Sequence, residues 1–299
     1  TYRPVGRSEG MAGQVIKWLS AHVIAEALCL RPEAMVLTPD SHSPQVDWAG
    51  FWGCTAAHAS FRGDVREWGI PPLSSGPDGV WRAFGNPCDL TRLRGAVQRL
   101  ALRGPAPSFD LGQPSVAYDL STAIPALRDM YWHGRKRRNR CSRSERSGNR
   151  LTVGVHVRRG DVAQKLHERA DFRATRWLDE NYYATVSRTI RCEIGDANLH
   201  FRVYSDDPDL DMGLIVGRCE SAETRPNRAS AMEPCADFDD MVDADYLVMG
   251  KSAFSYLAGL IRDRVVVAPS SWAFHRPFPS RCLLADDAGR LTSPLVVKT

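Results

Sequence analysis

Residues 151–164, LTVGVHVRRGDVAQ, lead an apolar, β-branched run directly into two arginines, a glycine and an aspartate. A run of this kind reads as a strand buried in a parallel sheet. The groups that follow it are costly to bury, and open α/β sheets hold ligands outside the carboxyl ends of their strands. Arg158 and Arg159 stand at that end, Gly160 permits close backbone approach, and Asp161 is placed to cap the next segment.

Downstream the same grammar repeats. The spacing predicts a helix over 179–191, a strand over 199–204, a helix or turn after Asp207, and a helix over 237–244. A strand over 245–249, a helix over 252–262 and a strand over 264–268 follow. Strands alternating with helices mean βαβ units and a parallel sheet, so the fold class is α/β.

Upstream, GMAGQ (10–14) opens a helix with Val15, Ile16, Leu19, Val23, Ala27 and Leu30 near helical spacing, ended by Pro32. A strand over 34–38 and a turn over 40–44 come next. From 63 to 119 the chain is rich in Pro, Gly and Trp, and only a helix near 90–102 can be placed. The run RKRRNRCSRSERSGNR (135–150) is basic and almost free of apolar residues, the pattern of a linker between two halves, 1–145 and 146–299.

At 299 residues the chain is long enough for two domains, and 43% hydrophobic residues is ordinary for a globular core. A net charge of +4 is too small for whole-molecule electrostatics to imply nucleic acid, so any anion site is local. The basic run lacks interleaved aromatics for base stacking, and neither nucleic acid nor a membrane is an expected partner. No stretch of 18 apolar residues occurs, since Lys17, His22 and Glu26 interrupt the best candidate. The chain opens on Thr1 with no leader pattern, as a fragment cut from its leader or anchor would. Its eight cysteines form no CxxC pair, which argues against a zinc ribbon and leaves disulfides or buried thiols open.

Two guanidiniums at a strand end suit a diphosphate, each able to fork two N–H donors onto phosphate oxygens; the competing reading is an ion pair with a nearby acid. Arg159-Gly160-Asp161 would need an exposed loop tip to act in adhesion, and instead it follows a buried strand. Asp206 and Asp207, after a second strand, offer either hard oxygen ligands for a divalent metal or a cap for the next helix; the cap is favoured. Lys251 and Ser252 precede an apolar helix whose first N–H groups face the same edge; Ser252 is either an anion contact or a plain N-cap.

Taken together these segments resemble the GDP-fucose-dependent fucosyltransferases of the α1,2-, α1,6- and protein O-fucosyltransferase type. His156 to Asp161 is similar to the family's HxRRGD motif, Tyr182-Tyr183 to its YY pair, and Val203 to Asp207 to its (F/Y)SDD. Asp237-Phe238 with Met241, then Ser252, Phe254 and Ser255, resembles the DFxxM…SxSTFSWW block, with Tyr256-Leu257 in place of WW. Gly10 to Gln14 resembles GxGNQ, with Ala12 and Gly13 where Gly and Asn are expected.

The resemblance implies a GT-B architecture, two Rossmann-like domains with parallel sheets facing across a cleft, the donor held by the C-terminal one. It implies inverting, metal-independent transfer of L-fucose from GDP-fucose to a hydroxyl of an oligosaccharide or glycoconjugate, with no further cofactor. By matched position His156 and Asp237 contact the guanosine, Arg158 the β-phosphate, and Ser252 and Ser255 the phosphates. Arg159 supports the same charge, and Gly10 and Gly13 form the loop opposite. Asp161 is the first choice for the base, ahead of Glu168, Asp171 and Glu9. The alternatives are a metal-dependent nucleotide-sugar transferase using Asp206 and Asp207, or a non-catalytic glycan- or polyanion-binding protein on the same fold. Relatives place the activity in the Golgi or secretory lumen, or in bacterial cytoplasm.

Overall fold

The computed structural model describes residues 2–3, 10–27, 36–37, 45–56, 109–110, 120–138, 150–166, 175–217, 221–226, 233–272 and 281–293. The chain forms two compact units, Thr1–Asn139 with Phe274–Pro277, and Arg140–Ala273 with Phe278–Thr299. The division falls inside the basic stretch. Arg135 to Arg137 of that stretch do not belong to a linker: they are the last turn of a helix, and Arg135 is buried. Arg135 lies over the Tyr131 and Trp132 rings while Lys136 and Arg137 stay exposed, which composition alone does not reveal.

In the first unit the described strands are short parallel pairs, β1 (Tyr2–Arg3) with β4 (Phe109–Asp110) and β2 (Val36–Leu37) with β3 (Thr55–Ala56). Helix α1 (Met11–Ala27) buries Met11, Val15, Ile16 and Leu19. Helix α2 (Trp48–Trp52) is capped by Asp47, whose carboxylate accepts from Gly50 N at 2.9 Å, and ends at Gly53 in the left-handed region, φ 67°. Helix α3 (Ile124–Arg137) lies against it so closely that a Cβ on Gly134 would stand 2.6 Å from the Phe51 carbonyl oxygen. Trp48, Phe51, Trp52 and Tyr131 fill the joint edge to face, and Trp52 Nε1 lies 3.2 Å from Met11 Sδ. Pro32, the turn over 40–44, the helix near 90–102 and residues 139–149 of the basic run lie outside the described residues.

The second unit is α/β, with a six-stranded, wholly parallel sheet in the order β10-β9-β8-β5-β6-β7. Its strands are β5 (Leu151–Val157), β6 (Leu199–Ser205), β7 (Ala222–Pro226), β8 (Tyr246–Val248), β9 (Val265–Pro269) and β10 (Cys282–Ala285). From β5 the chain first moves outward through β6 and β7, then returns to β5's other side for β8, β9 and β10. Counted within this unit, that is the order 3-2-1-4-5-6, whose direction reverses between β5 and β8. Val153 pairs with Tyr246 on one side of β5 and with Phe201 on the other.

The helices between the strands are α4 (Gly160–Lys165), α5 (Glu180–Ile194), α6 (Met212–Val216), α7 (Glu233–Asp243) and α8 (Ala253–Ile261). Alternation along β5 sorts their packing. Val153, Val155 and Val157 are buried with Tyr182, Tyr183, Val186 and Ile190 of α5, which fixes one face. Gly154 looks the other way, toward Tyr204, Ala244 and Leu247. Arg262, 3% exposed, donates to the carbonyls of Met241 (3.0 Å) and Ala244, closing the carboxyl end of α7. Among the described residues no helix is long and apolar enough to cross a membrane.

Strands β7 and β10 were not anticipated. AETRP reads as polar coil, and both strands lie at sheet edges, where one side pairs and the pattern weakens. Cys54, Cys192, Cys235 and Cys282 are free thiols, and burial raises Cys54 to about 11 and Cys282 to about 12.

Candidate functional site

The point where the strand order reverses lies between β5 and β8, and their carboxyl ends carry most of the residues singled out from sequence. The chain leaves β5 at Arg158 and β8 at Met249. Gly250 brings the two exits together: a Cβ there would be 2.8 Å from the His156 carbonyl oxygen and 3.0 Å from Tyr183 Oη. Only a residue without a side chain lets the turn into α8 press so closely on β5.

His156 lies on the face of β5 opposite the valines. Its ring is 5.9 Å from that of Phe254 in α8, and Phe254 meets Phe238 of α7 edge to face at 5.1 Å. The imidazole is half-buried, but Nδ1 is fully buried and finds no hydrogen-bond partner among the described residues. Burial, and then the nearby Arg158 cation, lower its pKa to about 3, so the ring is neutral at neutral pH. A neutral imidazole keeps one nitrogen as an acceptor. Asp237, half-buried, adjoins Phe238 on α7.

The two arginines part company. Arg158 is half-buried at the rim. Arg159 is 2% exposed: Nη2 donates to Glu180 Oε1 at 2.8 Å, Nη1 to the Arg158 carbonyl at 3.2 Å, and the guanidinium carbon sits 3.9 Å from the Trp177 ring centroid. Of the two functions weighed for it, the ion pair is the one formed. Arg159 positions the rim, and the Arg-Gly-Asp tripeptide is not displayed on a loop tip.

Asp206, at the end of β6, accepts from Arg159 N through Oδ1 at 2.9 Å. A Cβ on Gly160 would overlap the same carboxylate. Asp207 accepts from Asp209 N at 3.0 Å, and its own amide donates to Ser205 Oγ at 3.1 Å. The expectation that one of these caps the following helix needs correcting, because Asp211 caps α6 by accepting from Gly213 N at 2.7 Å. Asp206 instead braces the start of α4, reached across the sheet rather than along the chain. Among the described residues no group of three His, Cys, Asp or Glu side chains is arranged to hold a metal ion.

Ser252 is the N-cap of α8, accepting from Phe254 N at 3.3 Å, and Ser255 Oγ donates to the Ser252 carbonyl at 3.3 Å. They are 3% and 0% exposed, so both hold the helix start from within. Lys251 is 2% exposed, and its Nζ lies 3.2 Å from Asp287. Asp161 falls in the first turn of α4 by its backbone; its side chain, with Glu168, Asp171 and Glu9, lies outside the described residues. Gly10 and Gly13 belong to the other unit. Gly10 precedes α1, its carbonyl accepting from Gln14 N at 3.2 Å, and Gly13 is half-buried in the first turn.

The site therefore gathers His156, Arg158 and the start of α8 at one edge, with Phe238, the neighbour of Asp237, packed against Phe254. Trp177, Glu180 and Gly250 also shape it and carried no signal in sequence, because their value lies in contacts across the fold. Compared with protein-family models, curated proteins and solved structures, the chain finds no match.

Proposed function

We propose that this chain is an inverting glycosyltransferase that moves L-fucose from GDP-fucose to a hydroxyl of a glycan acceptor, on a GT-B architecture of two Rossmann-like domains. The observation that carries the reading is the rim at the β5–β8 reversal, where Arg158, neutral His156 and the start of α8 share one edge. A cation beside a helix N-terminus suits a pyrophosphate.

Negative charge grows on the departing diphosphate as the sugar bond breaks. Arg158, fixed beforehand by the braced loop, stabilises that charge where it develops. His156 accepts from a base N–H with its neutral ring, and Asp237 holds the nucleoside from α7. Ser252 and Ser255 act indirectly, by keeping the first turn of α8 in place beneath the phosphates. Asp161 takes the proton of the acceptor hydroxyl as it attacks from the face opposite the leaving group.

Thermal shift with a nucleotide panel tests this. GDP should raise the melting temperature well above UDP or ADP, because a ligand bound only by the folded state stabilises it by mass action. Arg158→Ala should remove most of that shift and slow transfer about 100-fold. Full GDP binding by the variant would defeat the donor assignment.

A further inference from the structure

Helix α3 of the first unit carries an aromatic ring for which the donor reading has no use. Pro125, Asp129, Trp132, His133 and Lys136 are exposed at helical spacing and form one stripe facing solvent, while Leu127, Tyr131 and Arg135 are buried. Trp132 is 45% exposed, yet it is held: Tyr131 meets it edge to face at 5.0 Å, and the Arg135 guanidinium carbon lies 5.3 Å from its ring centroid. Arg135 is itself 5% exposed and donates to Tyr131 Oη at 3.2 Å. An indole fixed in this way loses little freedom when a ligand stacks on it.

The surroundings of the ring are basic. Lys136 and Arg137 are exposed about one turn beyond it; with Arg135 they form the last turn of the helix, Arg138 is its C-cap, and Asp129 is the one acid in the helix. The local potential is positive and favours an anion.

We infer that this stripe binds an acidic polysaccharide, one sugar ring lying by its apolar C–H face on Trp132 while Lys136 and Arg137 take sulfate or carboxylate groups of neighbouring residues. Asp129, three positions before the ring and on the same stripe, accepts from sugar hydroxyls. Single-stranded nucleic acid fits less well. It is held by successive aromatic rings along a basic groove, whereas among the described residues this stripe exposes one indole, with only the imidazole of His133 beside it.

The inference does not depend on the donor reading. Calorimetric titration of the whole chain with a heparin-derived octasaccharide, a neutral maltooctaose and an oligothymidylate tests it, together with Trp132→Ala and Lys136→Glu/Arg137→Glu. These positions are exposed, and unchanged melting temperatures show that the variants fold. The expected result is octasaccharide binding that weakens about tenfold in Trp132→Ala and disappears in the charge-reversed variant, with weaker binding of both controls. No octasaccharide binding, unaltered binding by Trp132→Ala, or tighter binding of the oligothymidylate would overturn the inference. Adding GDP to the same samples separates the two readings: a missing GDP shift with Trp132-dependent binding intact counts against the donor site alone, and the reverse against this stripe alone.

Discussion

Arg159 and Glu180 meet at 2.8 Å in the second unit, with Trp177 against the guanidinium and Arg158 next along the chain. The pair turns one arginine of a tandem inward, and the loop that carries the other arginine is anchored as a result. Positioning of the rim is thus assigned to residues that need not touch any ligand.

Glu180→Ala should destabilise the fold by about 1–3 kcal/mol in urea unfolding, because Arg159 stays buried without its partner while Glu180 itself is partly solvated. GDP affinity should fall with it, although Glu180 makes no proposed contact with nucleotide. Stability within 0.5 kcal/mol of the parent would show that the pair contributes nothing measurable.

Gly160→Ala should cost about 1–3 kcal/mol, since its methyl must displace the Asp206 carboxylate from Arg159 N. Asp206→Ala removes both the obstacle and the brace. The double variant should therefore be clearly less destabilised than the sum of the two single ones, and strict additivity in a double-mutant cycle would rule out the contact.

Protonation of His156 opposes folding. Its folded pKa is lowered to about 3 from 6.5, so between these values the unfolded chain binds the extra proton and stability rises with pH. The contribution is complete above pH 6.5 and is lost toward pH 3, at a slope approaching 1.4 kcal/mol per pH unit. Denaturant midpoints at pH 7, 5.5 and 4.5 should fall less steeply for His156→Phe than for the parent, and parallel profiles would contradict the burial described.

Gly250→Ala should push the β8–α8 turn away from His156 O and Tyr183 Oη, lowering both stability and GDP response. Tyr183→Phe removes one of the two obstacles and should restore part of the loss when combined with it. A Gly250→Ala variant with an unshifted melting temperature would mean that the turn yields freely.

Much of the second unit was legible because its strands are buried on both faces and announce themselves as apolar runs, LTVGVHV most clearly. Helix α5 was placed to within a few residues at its far end and α7 was entered too late, as fraying ends and weak caps lead one to expect. The candidate site was legible as a set of residue types at a strand end. Which arginine is buried was not, because that depends on Glu180 and Trp177, which reach Arg159 only once β5 and α5 have packed. The same holds for Asp206, whose partner is forty-seven positions earlier in the chain.

Lys251 sits at the exit of β8 with 1% of its side chain exposed, and the acid that answers it, Asp287, comes after β10. Gly289, two positions further, presses on the Tyr182 carbonyl with φ 82°. A shortened chain lacking residues 281–293 would take this carboxylate away from a buried ammonium and uncover β9 at the edge of the sheet. The segment from β10 to Gly289 is thus a keystone for the rim.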